Sequence, residues 1–170
     1  MVPAASLVRA DLRGLGFHRA VLERVDLVGV NAVGVEFRNA VLSLSCLDGA
    51  LLDGARFMGA RLERVSFRGA RMSGAMMDCC AAFGADFEGA DLSGAILWGA
   101  HLEGANFVGA DLSTANTEGA HFEGAVFDST TVWPHGFDPL EAGAIRVGDD
   151  TGVYYRIEPA PGLFGSPDGT

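Results

Sequence analysis

The side chains in this chain best suited to chemistry are His101 and His121, each followed two residues later by an acid, Glu103 and Glu123. Two imidazoles beside two carboxylates offer the donors of a divalent-cation site or the partners of general acid and base work. No other His or Cys joins the pattern, so the plain reading is solvated imidazoles near solvated carboxylates, with no metal and no cofactor. Ser73, Ser93 and Ser113 recur every twenty residues but have no base beside them, so no nucleophile is set up. Cys46, Cys79 and Cys80 make neither a disulfide framework nor a zinc pattern, which points to a reducing cytoplasm. On these grounds the chain is not read as an enzyme.

What positions these residues is a repeat of five. Residues 85–127 read ADFEG ADLSG AILWG AHLEG ANFVG ADLST ANTEG AHFEG AVF, and the same phase puts a large apolar residue at Leu7 and at nearly every fifth position to Val132. That is an expectation of 26 pentads without an insertion. A step of five turns an α-helical side chain through about 500°, and in a flat strand an odd step alternates faces, so neither element gathers the apolar residues on one side. A chain that runs extended for a few residues and then turns a corner points each of these central residues inward, provided that the corners close a coil. Ala two residues before the centre fits the tight interior, and Gly two residues after it fits a corner that needs positive φ.

Four pentads per coil sort the centres into columns. One wall becomes Leu7, Leu27, Leu47, Phe67, Phe87, Phe107 and Phe127, and the opposite wall Phe17, Phe37, Phe57, Met77, Leu97 and Thr117. Each coil then sets one Phe against one smaller residue, the aromatic changing walls after Phe57, which keeps the lumen volume nearly constant. The two residues flanking each centre are expected to face solvent.

The pentads Ala10-Asp11-Leu12, Ala85-Asp86-Phe87, Ala90-Asp91-Leu92, Ala105-Asn106-Phe107 and Ala110-Asp111-Leu112 resemble the motif of the pentapeptide-repeat family. The resemblance covers residues 5–132. It implies an all-β, right-handed quadrilateral β-helix, here of about 6.5 coils, with no catalytic activity. In some members it implies protection of DNA gyrase by mimicry of duplex DNA.

Past Val132 the pattern stops. Trp133 and Phe137 are expected to cover the lumen, and Asp138, Pro139 and Glu141 read as the N-cap, first position and third position of a short capping helix over 139–144. The organisation expected is a solenoid at 1–132, a cap at 133–146 and a partly disordered tail at 147–170 with one strand-like stretch at 153–157. The amino end shows no comparable cap, which would leave it open to pairing with a second copy. Arg9, Asp11 and Arg13 interrupt any signal-peptide core, and no apolar run approaches a membrane span.

The net charge is −10, and every one of the 12 basic residues is Arg. Residues 1–71 carry +3, whereas residues 72–145 carry −11 with no Arg or Lys. An acidic chain is a poor binder of nucleic acid, so the expected partner is a protein. Two surfaces stand out. Met58, Met76, Ile96 and Trp98, with Phe83 on the next wall, form an apolar group suited to a protein partner, a second copy, or the chain's own tail. Asp86, Glu88, Asp91, Glu103, Asp111, Glu118 and Glu123 approach the charge density of duplex DNA and make DNA gyrase a candidate partner. The first reading is a non-catalytic interaction or scaffold module; the alternative is a DNA-mimicking gyrase inhibitor or protector.

Overall fold

A pentad has five backbone N–H groups to satisfy, and residues 85–89 show where each goes. The computed structural model describes residues 6–148. Ala85 donates to Ala82 O across the corner (3.1 Å), Asp86 donates to Val65 O in the coil before (2.9 Å), and Phe87 and Gly89 donate to Asn106 O (2.8 Å) and Val108 O (2.9 Å) in the coil after. The fifth donor, Glu88 N, is answered by Asp86 Oδ1 at 3.1 Å. Three of the five bonds tie neighbouring coils together, one closes the turn, and one is supplied by a side chain.

Repeated along the chain, this pattern stacks parallel single-residue bridges twenty residues apart, from Ser6↔Asp26 to Asn106↔Val126. The chain therefore returns to the same wall every four pentads. From Arg9 to Gly124 each corner places its second turn residue at positive φ, with Thr114 the exception. Most of these residues are Gly, and at Gly59 a Cβ would also lie 2.6 Å from Asn39 Oδ1, so that side chain would have to turn away.

The centres fill the lumen as the columns require. Phe37, Phe57, Phe67, Phe87 and Phe107 are fully buried, Phe127 is nearly so, and the residues two positions ahead, Val35, Val65 and otherwise Ala, are buried beside them. Phe17, Phe37 and Phe57 stack at 5.3 and 5.1 Å, and Phe67, Phe87 and Phe107 at 5.2 Å. Where the aromatic changes walls, Phe57 meets Phe67 edge-on at 6.0 Å and 78°. Near the amino end Phe17 and Leu22 are half-buried and Leu7 is exposed. Ser45 takes one of the inward Ala positions without loss, because its Oγ accepts from Val25 N (2.9 Å) and donates to Leu22 O (2.6 Å), splicing itself into the turn.

Two expectations fail at the carboxy end. The array does not run unbroken to Val132. The next bridge is Asp111↔Val132, a step of 21, so one extra residue enters after Phe127. Val132 is 47% exposed, and Trp133 takes the inward place instead, against Phe107 (5.7 Å), Phe122 (5.5 Å) and Phe127 (5.6 Å). The extra residue sits in a corner built on Asp128, whose Oδ1 accepts from Thr130 N (3.0 Å), Thr131 N (3.1 Å) and Gly109 N (3.2 Å). Burial alone would raise the Asp128 pKa, but hydrogen bonds from the Thr130 hydroxyl and N–H, from Gly109 N and from the Thr131 hydroxyl outweigh it and the net shift is downward.

The capping helix is the second correction, since no helix is present among the described residues. Asp138 Oδ1 does accept from Leu140 N (2.9 Å) and Glu141 N (3.3 Å), as an N-cap should. The closing motif follows at once: Gly143, at φ +82, donates to Leu140 O, and Ala144 donates to Pro139 O. A start and a stop with one turn between them make a capped turn, not a helix. Phe137 packs on Trp133 and Phe122, both at 5.2 Å. Strand β1 (Val126–Phe127) then pairs in parallel with β2 (Ile145–Arg146). The strand-like stretch at 153–157 and the tail beyond Gly148 lie outside the described residues, while Val147 N still donates to Phe127 O at 2.8 Å.

Phe87→Ala should lower unfolding stability by about 3–5 kcal/mol, as for a buried aromatic. Glu88→Ala next to it should cost under about 1 kcal/mol, since it loses only solvent-exposed polar contacts. Chemical denaturation of the two variants checks the difference.

Candidate functional site

The outer walls carry two ladders per face, one on each side of the centre, and they are not equivalent. The residue before the centre sits in the bridge, so its side chain leaves the wall beside the backbone N–H two residues on. Where it is Asp or Asn it captures that donor: Asp91 from Ser93 (2.9 Å), Asn106 from Val108 (3.1 Å), Asp111 from Ser113 (2.9 Å) and Asn116 from Glu118 (3.0 Å). The expectation that both flanks simply face water is corrected here: Asp86, Asp91 and Asp111 are corner ligands first. The residue after the centre seldom has such a duty; Asp48, which accepts from Arg68 N (3.0 Å), and Asp128 in the terminal corner are the cases where it does.

This division sorts the acids. Asp86 and Glu88 are further bound by Arg68, through Nε to Asp86 and Nη2 to Glu88 at 2.9 Å, and Asn106 Nδ2 donates to Asp86 at 3.0 Å. The Arg68 pKa is raised, first by the hydrogen bond to Asp86. Glu103 accepts from or pairs with His101 Nδ1 at 3.2 Å. Glu118 and Glu123 are exposed. The seven acids do not converge on one point; they are spread over the faces as the pentad phase dictates.

The apolar group is assembled in part. Met76 and Ile96 are bridged neighbours on one ladder, and both are half-buried. Met58 and Trp98 lie on the ladder beyond the centre, with Asp78 between them in the twenty-residue column. Trp98 is 50% exposed and Phe83 is 41% exposed. Phe83 lays one face on the His101 ring at 5.2 Å and 24°. His101 in turn stacks on His121 at 4.8 Å and 6°, which brings the two His-Glu pairs into contact.

The thiols are scattered. Burial pushes Cys80 up to about 12 and Cys46 up to about 11, and Cys79 is an exposed corner residue at φ 50. Among the described residues no helix is long and apolar enough to cross a membrane.

The repeat geometry agrees with the comparison to known families. Eight copies of the family described as pentapeptide repeats match residues 5–43, 45–78, 83–124 and 105–132. The chain is a pentapeptide-repeat protein. Proteins of this family are generally non-catalytic structural or interaction modules. HetL of the cyanobacterium Nostoc sp. strain PCC 7120, a pentapeptide repeat protein involved in heterocyst differentiation regulation, superposes with a TM-score of 0.67 at 24% identity. The match covers 77% of this chain and 57% of HetL, and it supports the right-handed β-helix fold. QnrB1, a plasmid-mediated fluoroquinolone resistance protein, matches at 23% identity over 76% of this chain and 78% of its own, with a TM-score of 0.39. A pentapeptide repeat protein of the Arabidopsis thaliana thylakoid lumen matches at 25% identity over 74% of this chain and 66% of its own, with a TM-score of 0.34. Only the first superposition is close enough to bear on the fold. No curated protein matches in sequence.

The corner role of the family Asp gives a direct expectation. Asp91→Ala should cost about 1 kcal/mol by orphaning the Ser93 N–H, while Asp91→Asn, which keeps the acceptor oxygen, should cost a few tenths at most. Equal losses in thermal unfolding would contradict the assignment.

Proposed function

We propose that this pentapeptide-repeat chain is a non-catalytic interaction module that binds a protein through the wall carrying Met58, Met76, Ile96 and Trp98. One observation carries the reading. From Asp86 to Asn116 the ladder ahead of the centre holds Asp or Asn in all pentads but two, and the departures are Ile96 and His101. At Ile96 the wall gives up the corner bond to Trp98 N and shows apolar surface instead, with Met76 beneath it and a half-exposed indole beside it. Nothing in the coil's own packing asks for that exchange, since Leu97 is already fully buried inside. Contiguous exposed apolar side chains are the usual mark of a contact surface. A second copy of the chain is the first partner to test, followed by the chain's own residues 149–170. Trp98→Glu should give a smaller particle in light scattering if two copies meet there, or faster proteolysis of the carboxy-terminal segment if that segment covers the wall. No change in either measurement contradicts the reading.

Mimicry of DNA toward gyrase is a second reading, favoured by the charge of residues 72–145, which is −11 without one Arg or Lys. Three coils occupy about 14 Å, a length over which duplex DNA carries about eight charges, and residues 73–132 hold nine acids. The chain's own bonds weaken this reading: Arg68 offsets one of the two charges of Asp86 and Glu88, and Asp91 and Asp111 are each held by a corner N–H and are not free to turn toward a partner. In a supercoiling assay, mimicry requires salt-sensitive inhibition or protection by the chain that weakens when Glu103, Glu118 and Glu123 are changed to Gln. No effect at micromolar protein rejects it.

A further inference from the structure

The His-Glu pairs, set aside in the sequence for want of a further ligand, acquire a different meaning in three dimensions. One ligand atom from each of Glu103, His121 and Glu123 lies within 4.8 Å of the other two. We propose that these three residues form a surface site for a divalent cation of the zinc class.

The site is built by the twenty-residue stack. Glu103 and Glu123 are consecutive members of one ladder, and His101 and His121 are bridged members of the other ladder on the same wall. Like charges placed on neighbouring strands repel, so Glu103 above Glu123 is a cost that the wall carries unless a cation lies between them. Two coils earlier on the same ladder, Glu63 meets no such conflict, because Ser43 and Arg61 both bind it. Glu103 has one partner, His101 Nδ1 on Oε1. Its Oε2 is shut off from solvent and accepts no hydrogen bond. A carboxylate oxygen that has lost water and gained no donor carries a desolvation cost that a nearby cation offsets.

The donor set selects the cation. One imidazole and two carboxylates, with water to complete the shell, suit zinc and its neighbours in the transition series. Calcium and magnesium prefer more oxygen donors than the site supplies. Donors around tetrahedral zinc are about 3.4 Å apart, so closing the present spacing takes small rotamer changes at His121 and Glu123, which are both exposed. Phe83, stacked on His101, holds that ring and through it Glu103.

The position gives the cation a structural task. Glu123 lies under the terminal capped turn: Gly124 N donates to Gly143 O at 2.9 Å, and a Cβ on Gly143 would lie 3.4 Å from Glu123 Cα. A cation joining Glu103 to His121 and Glu123 therefore clamps the coil that carries the cap to the coil beneath it.

The test is calorimetric titration of zinc chloride into the full, EDTA-treated chain, with thermal melts alongside. Saturable one-to-one binding is expected, with zinc raising the melting temperature and excess magnesium failing to displace it. His121→Ala and Glu103→Gln should each weaken binding at least about tenfold and abolish the zinc-dependent rise; without metal both should still melt in one cooperative transition, which shows that they fold, with Glu103→Gln no lower than the parent because it also loses the repulsion from Glu123. His135→Ala and Cys79→Ser should bind as the parent does. Binding that survives both ligand changes, binding that disappears with Cys79→Ser, or no saturable binding up to about 1 mM zinc overturns the proposal.

Discussion

The structure depends on coils stacked in parallel at the spacing of a backbone hydrogen bond. Each coil lends three N–H groups per pentad to its neighbours, as Asp86, Phe87 and Gly89 do, so adjacent coils lie in register and every side chain sits directly over the one twenty residues before it. Like is placed on like in the Phe columns and at His101 and His121, though not everywhere, as Asp78 between Met58 and Trp98 shows. In the lumen this is favourable, because stacked Phe rings and Leu side chains pack at close to their contact distances. On the outside it is a constraint, since stacked charges repel and a stacked apolar pair is exposed twice. The surface features of this chain are all consequences of that stacking: the Arg68 bridge to Asp86 and Glu88, the Met76 and Ile96 ladder, and the two His-Glu rungs.

The Asp or Asn ahead of the centre points outward, and the needs of the backbone donors explain why it is there. Four of the five backbone N–H groups are satisfied by backbone oxygens, and the fifth belongs to the residue just past the centre. A short side chain with an oxygen two positions earlier reaches it, and Asp and Asn are the residues of that length. Where the chain places Ile96 it forgoes this bond, and for that reason an apolar residue at this position carries more information than one elsewhere on the surface. It also fixes where part of an acidic pentapeptide solenoid's charge sits, since a carboxylate that holds a corner keeps its charge but not its freedom to turn.

Much of this was legible in the sequence. The columns emerged from a constant phase and from volume compensation across the lumen, and the switch of the aromatic after Phe57 appears in the structure as the edge-on pair with Phe67. The end of the array was not legible, because the extra residue hides among Asp128, Ser129, Thr130 and Thr131, where no apolar centre marks the phase. The Trp at 133, one place late, was its trace. The cap was misread for a related reason: Asp138 and Pro139 announce how a helix begins, while Gly143 sets how soon it stops, and only the second decides length. The His-Glu contact was visible as spacing, but the isolation of Glu103 Oε2 depends on packing around it that the order of residues does not contain.

Amide hydrogen exchange resolved by residue tests the donor accounting most directly. The account predicts protection with a period of five along residues 82–112, slow at every bridge and centre. At the position after the centre, exchange should be roughly tenfold slower at Glu88, Ser93, Val108 and Ser113, where an Asp or Asn oxygen accepts, than at Trp98, where Ile96 stands in its place. Equal exchange at Trp98 and Ser93, or protection without the five-residue period, would contradict it.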